Sequence, residues 1–555
     1  MRILSIFLIL FPFLASAQPQ ELKDTIETQM LNEVIIEGTS QYADSIEVPN
    51  IENRDVLEEL QPQPVAKPMA PDITDVERLE HEAFWRASAE VVGMNLGLWA
   101  FDRYIQKGEF AYISWESIKE NFRHGFEWDN DHLSTNMFAH PYNGSLFYNA
   151  GRSNGYNYWQ SSLFAIGGSA MWEMFMEKEY PSTNDIIATP IGGAAIGEVL
   201  YRISDLVIDD RSTGAERFGR ELAGFIISPM RGFTRIVTGR AWQRRTTSGK
   251  RFGIPPVRMS FSLGTRVLFF RNEKDFTRAG LTGRINIEYG EKFEEKTNHP
   301  YDYFTFLLDL DVIKTQPLLN RLEIQGRLLS RELLETKNSN LSLGLYQHFD
   351  YFDSDTISSY VNKWPFNACL VPYKFGTPAS IGGGALGQYR CNGLWQIDGY
   401  AHANAIVLGG ILSDFYRNYH RNYNWGMGFS LKGGFKFIYP KWRLTAGADA
   451  RFYRLYSLKG YKLNPQEYPE ITEPNVQGDA SNASFFNLSG NLNYAIWPHV
   501  YASVVVDWYR RYTHYRELKL IFTPDSESDY PFYAMRGPIF TSNQIGLKFM
   551  LTYQF

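Results

Sequence analysis

Two cysteines in 555 residues exclude a disulfide scaffold and a Cys-rich zinc module. Ten histidines are scattered without an HExxH or an H-x-H pair, so neither a metal nor a cofactor is expected. Lys and Arg number 55 against 61 Asp and Glu, a net charge of −6 that rules out a globally basic nucleic-acid binder. In the middle of the chain the uncharged stretches 161–172 and 186–197 have 12 residues each. That is short of the roughly 20 that span a bilayer as a helix, so they read as bundle or interfacial helices. Aromatics are what the sequence has in excess: 34 Tyr, 39 Phe and 13 Trp, 15% of the chain.

The amino terminus sets the compartment. Met1-Arg2 is a short positive region, 3–14 is apolar, and Ala15-Ser16-Ala17 is an A-x-A cleavage site. Residues 1–17 therefore read as a secretory signal peptide, leaving Gln18 first. Residues 18–82 hold 16 acidic and 4 basic residues, with six prolines from Pro19 to Pro71. Such a segment buries too little apolar surface to offset its ordering entropy and is expected to be a flexible tether. One patch differs, 31–38, from Leu31 through Val34, Ile35 and Ile36 to Gly38. Its β propensity would let it add to a sheet edge of a periplasmic partner, or it is a sticky island in a linker. It resembles the LxEVVVxG stretch near the start of TonB-dependent receptors, over eight residues and with no plug domain after it.

Residues 83–250 take helical period and are expected to form a small periplasmic helical domain. Gly167-Gly168 and the run from Gly192 to Gly197 are small-residue faces that let helix backbones approach closely. Ser182 or Asn184 could cap the helix that follows. Glu198, Arg202 and Asp205 share one face, and Glu173 shares a face with Glu177. Two readings stay open. One is an inter-helix ion-pair network. The other is a polar site where His140, Glu173, Asp185 and Glu198 converge, with Arg152 and Asn184 nearby. No nucleophile–base motif supports catalysis. Residues 211–251 carry 10 Lys/Arg against 2 acidic residues, a basic collar that could meet lipid phosphates or stay solvated.

The stretch from His140-Pro-Tyr-Asn-Gly144 through Tyr148, Ala150 and Arg152 to Gly155, then Trp172-Glu173, Pro181-Ser182-Thr-Asn184-Asp185 and Gly192-Gly193 to Gly197-Glu198 and Arg202, resembles the domain-of-unknown-function 3943 family of exported bacterial proteins. The resemblance covers about residues 85–240. It implies no activity, because the family has none assigned.

From Pro256 onward the period becomes two. In 544–555, Ile545, Leu547, Phe549, Leu551, Tyr553 and Phe555 oppose Gln544, Gly546, Lys548, Met550, Thr552 and Gln554. A terminal Phe on such a strand resembles the C-terminal signature of outer-membrane barrels. Twelve strands are expected, starting near Val257, Ala279, Tyr303, Asn320, Asn340, Thr377, Trp395, Asn424, Lys441, Ala483, His499 and Asn543. About ten residues each would suit tilted spans. With an even count, links after odd strands should be long and external: 353–366, 411–423, 457–482 and 513–542. Those after even strands should be short, as at Asn392-Gly393, Tyr439-Pro440 and Trp497-Pro498. The stretch 290–300 is long for an internal turn and leaves the count open by one hairpin. Cys369 and Cys391 fall at opposite ends of one strand, too far apart to bond.

The fold expected is thus an α+β multidomain chain: tether 18–82, helical domain 83–250 and a transmembrane antiparallel β-barrel over 256–555, in the outer membrane with its N-terminal region in the periplasm. The inward positions mix signs, from Arg258, Arg266, Arg284, Lys432, Lys436, Arg443 and Arg451 to Glu288, Asp309, Asp311, Glu323, Asp350, Asp398, Asp449 and Asp507. This points to a salt-bridged, largely closed interior. His348 with Asp350, and His402 with Asp398, share inward faces. Such pairs could serve a hydrolase acting on outer-membrane lipids, though no serine motif accompanies them. Three functions remain: an envelope structural, interaction or transport-accessory protein; a lipid-modifying hydrolase; a narrow channel.

Overall fold

A computed structural model describes residues 82–270, 277–294, 296–297, 299–313, 316–354, 371–414, 421–458, 476–516 and 539–555. The expected leader, the expected tether up to residue 81 with its patch 31–38, and Cys369 lie outside the described residues. Among those described, seven α-helices come first: α1 Phe84–Phe101, α2 Trp115–His124, α3 His140–Ser153, α4 Tyr158–Phe175, α5 Asp185–Val207, α6 Gly214–Ile227 and α7 Pro229–Val237. α2 and α4 start at capping boxes, Ser114 with Ser117 and Asn157 with Gln160, each satisfying two free N–H groups. Neither Ser182 nor Asn184 caps α5 through its side chain. The Asn184 Oδ1 instead accepts from the Asp129 N–H at 2.9 Å and its Nδ2 donates to Asp185 Oδ1 at 2.9 Å.

The small-residue faces do bring helices together. A Cβ on Gly193 would lie 2.5 Å from the Gly144 carbonyl carbon, and one on Gly144 would strike the Thr189 carbonyl oxygen. α3 and α5 therefore touch backbone to backbone, where neither neighbour can yield. Gly193→Ala should lower the melting temperature of the purified protein, since overpacking a tight contact costs about 1–3 kcal/mol. Gly167→Ala, with nothing within 4 Å, should leave it unchanged or raise it. Equal behaviour of the two variants in a thermal melt would remove the close-contact argument.

The second half is a closed antiparallel barrel of twelve strands: β1 Val257–Phe270, β2 Thr277–Tyr289, β3 Phe304–Val312, β4 Leu319–Glu335, β5 Ser339–Asp353, β6 Lys374–Cys391, β7 Trp395–Leu412, β8 Tyr423–Tyr439, β9 Leu444–Ser457, β10 Ser481–Trp497, β11 Val500–Tyr515 and β12 Ile539–Gln554. Each pairs with its sequence neighbour, and β12 returns to β1 from Ser260↔Gln554 to Leu268↔Gly546 and beyond. The starts fall within a few residues of those expected. The strands run to as many as 18 residues, well beyond the expected ten. Arg443 does not face inward: it sits left-handed, at φ 56°, in the tight link between β8 and β9.

One barrel end carries both barrel termini and, from β4 onward, short turns; at the other end the links after β5, β7, β9 and β11 are long, while those after β1 and β3 are short. The terminal strand behaves as its alternation requires. Lys548 and Gln544 are buried inside, while Ile545, Phe549, Leu551 and Tyr553 are exposed outside. The link between β2 and β3 is long for a turn because it docks the helices. Its Tyr301 is fully buried, stacks on Tyr158 and donates to Gln347 Oε1 at 2.9 Å, and the Pro300 carbonyl accepts from Arg202 at 2.8 Å.

The helices neither plug the barrel nor hang below it; they lie along its outer wall. Asp350 faces the lumen, so its strand neighbours Phe349 and Tyr351 face out, with their register partners Ile324 and Gly376. Phe349, Tyr351, Ile324, Leu308 and Phe304 share one buried cluster with Met137, Leu146, Ala195 and Val199 of the helical region. Gly376 and Gly410 leave the outward space that Met137 fills. α5 runs the height of this wall. Its Ile191 carbonyl accepts from Gln347, Gly192 abuts Pro378 toward the loop end, and Arg202 meets the Pro300 link at the turn end.

Candidate functional site

Three polar clusters contain the residues expected to matter. The first lies where α3 and α5 begin, toward the loop end. His140 Nε2 is 3.9 Å from Asp185 Oδ2 and 4.0 Å from Asp131 Oδ2. Asp129, His140 and Asp185 present ligand atoms within 4.8 Å of one another. Glu173 is buried beside them and accepts from the Ser182 N–H at 2.7 Å. Burial among these carboxylates pushes the Glu177 carboxyl up to about 7, against the opposing pull of His140 and a hydrogen bond from Trp172. One imidazole nitrogen with carboxylate oxygens is a donor set that suits a divalent cation. His140, Glu173, Asn184 and Asp185 lie together here. Asp129 was missed, because it sits in an Asp-Asn-Asp loop with no periodicity to place it.

Glu198 does not join them. It is fully buried in a second cluster toward the turn end. Arg152 donates through Nε to Glu198 Oε2 at 2.6 Å and through Nη2 to Oε1 at 2.9 Å. Arg202 Nε donates to Oε1 at 2.8 Å, and Tyr148 Oη to Oε2 at 2.7 Å. Asp205 pairs with Arg231 at 2.5 Å rather than with Arg202. With every carboxylate oxygen engaged, this cluster holds helices together and offers no free group for chemistry.

The third cluster is lumenal. Lys432 Nζ donates to both oxygens of Asp350 at 2.6 Å and lies 3.1 Å from His348 Nδ1. His402 Nε2 meets Gln325 at 2.8 Å, and Asp398 accepts from Gln388 and Gln396 at 2.8 and 2.7 Å. Neither expected His–carboxylate pair is a contact; a lysine or amides occupy the carboxylates instead. Toward the loop end, Phe352, Tyr373, Phe375, Tyr453, Phe485 and Tyr509 form a buried inward cluster. Its rings approach to 4.4 Å for Phe375 with Tyr453 and for Tyr373 with Tyr509. This cluster lies on the loop-end side of His348. Toward the turn end a cavity of about 630 Å³ remains, lined by Glu288, Tyr400, Lys436 and Asn491, with Arg258, 58% exposed, at its rim.

Residues 125–230 match the model of a domain-of-unknown-function family, DUF3943. The match is narrower than the 85–240 suggested by the motifs. No curated protein matches the chain. Solved structures similar to it include the NanC porin, at 9% identity over 52% of this chain and 98% of that one, TM-score 0.22. The CymD monoaromatic hydrocarbon channel is similar at 10% identity, over 55% and 90%, TM-score 0.20. The outer-membrane channel DcaP of Acinetobacter baumannii is similar at 9%, over 54% and 96%, TM-score 0.20. Likenesses this weak carry no functional argument. The closed wall, its apolar outer belt and its charged interior are those of an outer-membrane β-barrel protein.

Proposed function

We propose that this barrel does not conduct and that the protein serves the envelope as a structural or interaction component, with its turn end and the cavity there facing the periplasm. The observation that carries this reading is the aromatic cluster around Phe352 and Phe485, buried to 0% exposure across the loop-end half of the lumen. Below it the interior is crossed by ion pairs of mixed sign, from Arg284–Asp309 at 2.6 Å to Arg451–Glu323 at 2.6 Å. A conducting pore needs a continuous wet path and an ion pore usually a charge bias; this lumen supports neither. The hydrolase reading loses its support because Lys432 holds Asp350 and neither His348 with Asp350 nor His402 with Asp398 forms a contact. The full chain reconstituted in planar bilayers should give no conductance steps. Replacing Phe352, Phe485 and Tyr509 together by Ala should introduce them. Steady conductance from the unaltered protein would overturn the closed-lumen reading.

A further inference from the structure

The outward face of α1 and α4 is apolar where no described residue covers it. Along α1 the exposed residues are Phe84, Trp85, Val92, Leu96 and Phe101 together with Ala and Gly positions, and along α4 they are Trp159, Leu163, Ile166, Gly167 and Phe175. No charged side chain is exposed within either helix. The charges that α1, α3 and α5 do carry are turned away from this face. Glu90 accepts from Asn154 and Thr234, and Arg152 and Arg202 are held by Glu198. This is the arrangement that charges adopt inside a bilayer, paired and facing protein.

The dimensions agree as well. From Trp85 to Phe101, and from Trp159 to Phe175, each helix rises roughly 24 Å at 1.5 Å per residue. The apolar band of an outer-membrane barrel is about 25 Å tall. Trp85 and Trp159 lie toward the turn end, where the barrel exposes Trp442 and Trp497. Tryptophans at one level on both parts form a shared interfacial girdle. The barrel's own exposed belt, including Phe429, Leu431, Leu551 and Phe549, continues around the rest of the wall. We infer that α1 and α4 face the acyl chains of the outer membrane, so that these two helices lie within the bilayer as a flank of the barrel and not in the periplasm.

This inference rests on the barrel being in the outer membrane, and the test separates the two. In the full chain with Cys369→Ser and Cys391→Ser, single cysteines replace Leu96, Leu163, Ile166, Leu551 or Arg123 and carry a nitroxide. The protein is reconstituted in phosphatidylcholine vesicles, and collision with oxygen and with a water-soluble nickel chelate is read by electron paramagnetic resonance. Labels at Leu96, Leu163 and Ile166 should match Leu551: high oxygen collision, low nickel collision. The label at Arg123, whose side chain is 76% exposed, should show the reverse. Nickel collision at Leu163 equal to that at Arg123, with Leu551 still in lipid, would overturn the inference and leave the barrel standing. Low collision with both reagents at Leu163 would mean protein covers the face and would also overturn it. Nickel access at Leu551 would instead sink the barrel reading itself.

Discussion

Glu198→Ala should release the helices from the barrel wall while leaving the barrel closed. Glu198 is fully buried and accepts from Arg152, Arg202 and Tyr148, and the side chains of the two arginines are only 4% and 6% exposed. Removing the carboxylate strands two guanidinium groups in an apolar setting. Breaking a buried pair by deleting one partner costs roughly 3–5 kcal/mol, and here one deletion breaks two pairs. Arg202 also donates to the Pro300 carbonyl, so the loss reaches the contact between α5 and the β2–β3 link. Limited proteolysis of the reconstituted variant should cut within 84–237, while the heat-modifiable gel shift of the barrel persists. Arg202→Ala should be milder, because Arg152 keeps its two-pronged hold on Glu198. Arg202→Lys should recover part of that loss, lacking the planar fork that reaches both Glu198 and Pro300. Unchanged protease resistance in Glu198→Ala would mean the network does not hold these helices.

The strands were legible because a wall with two different solvents writes itself as a period of two. Lys548 between Leu547 and Phe549 can face only inward in a barrel, and the neighbouring strands repeat the pattern. Where the helices sit was not legible. Phe349, Tyr351 and Ile324 are apolar and outward, which suits lipid or a packed helix equally, so alternation cannot tell the two apart. The signals that could have separated them are Gly376 and Gly410, outward positions where a lipid-facing strand has no need of glycine, and the long 290–300 link. Both are explained only once Met137 and α5 are in place. In the helical region, i, i+4 spacing correctly paired Glu198 with Arg202. The i, i+3 spacing also allowed Arg202 with Asp205, yet Asp205 went to Arg231, 26 residues away. Helix geometry restricts local partners and says nothing about a distant arginine brought in by α7.

Asp309→Ala should impair closure of the barrel itself, a larger loss than any other lumenal substitution considered. Asp309 is fully buried and binds Arg284 through Nε at 2.6 Å and Nη2 at 2.8 Å, and Lys548 Nζ at 2.7 Å. It thereby ties β2 and β3 to β12 across the seam where the last strand meets the first. Lys548 also lies 3.9 Å from Asp507, and Arg321 3.5 Å from the same carboxylate. The layer is a mixed-sign lattice, and deleting Asp309 leaves adjacent cations facing each other without it. A stranded buried charge costs roughly 3–5 kcal/mol, a large share of a typical margin of 5–15 kcal/mol. The variant should refold poorly into detergent or vesicles and lose most of its heat-modifiable band. Asp309→Ala combined with Lys548→Met should recover part of the yield, since removing both ends of a pair avoids the stranded charge. Asp398→Asn, a residue already held by Gln388 and Gln396 near the open cavity, should fold normally. If Asp309→Ala and Asp398→Asn refold equally well, the seam is held by backbone pairing and packing alone, and the charged layer only fills the lumen.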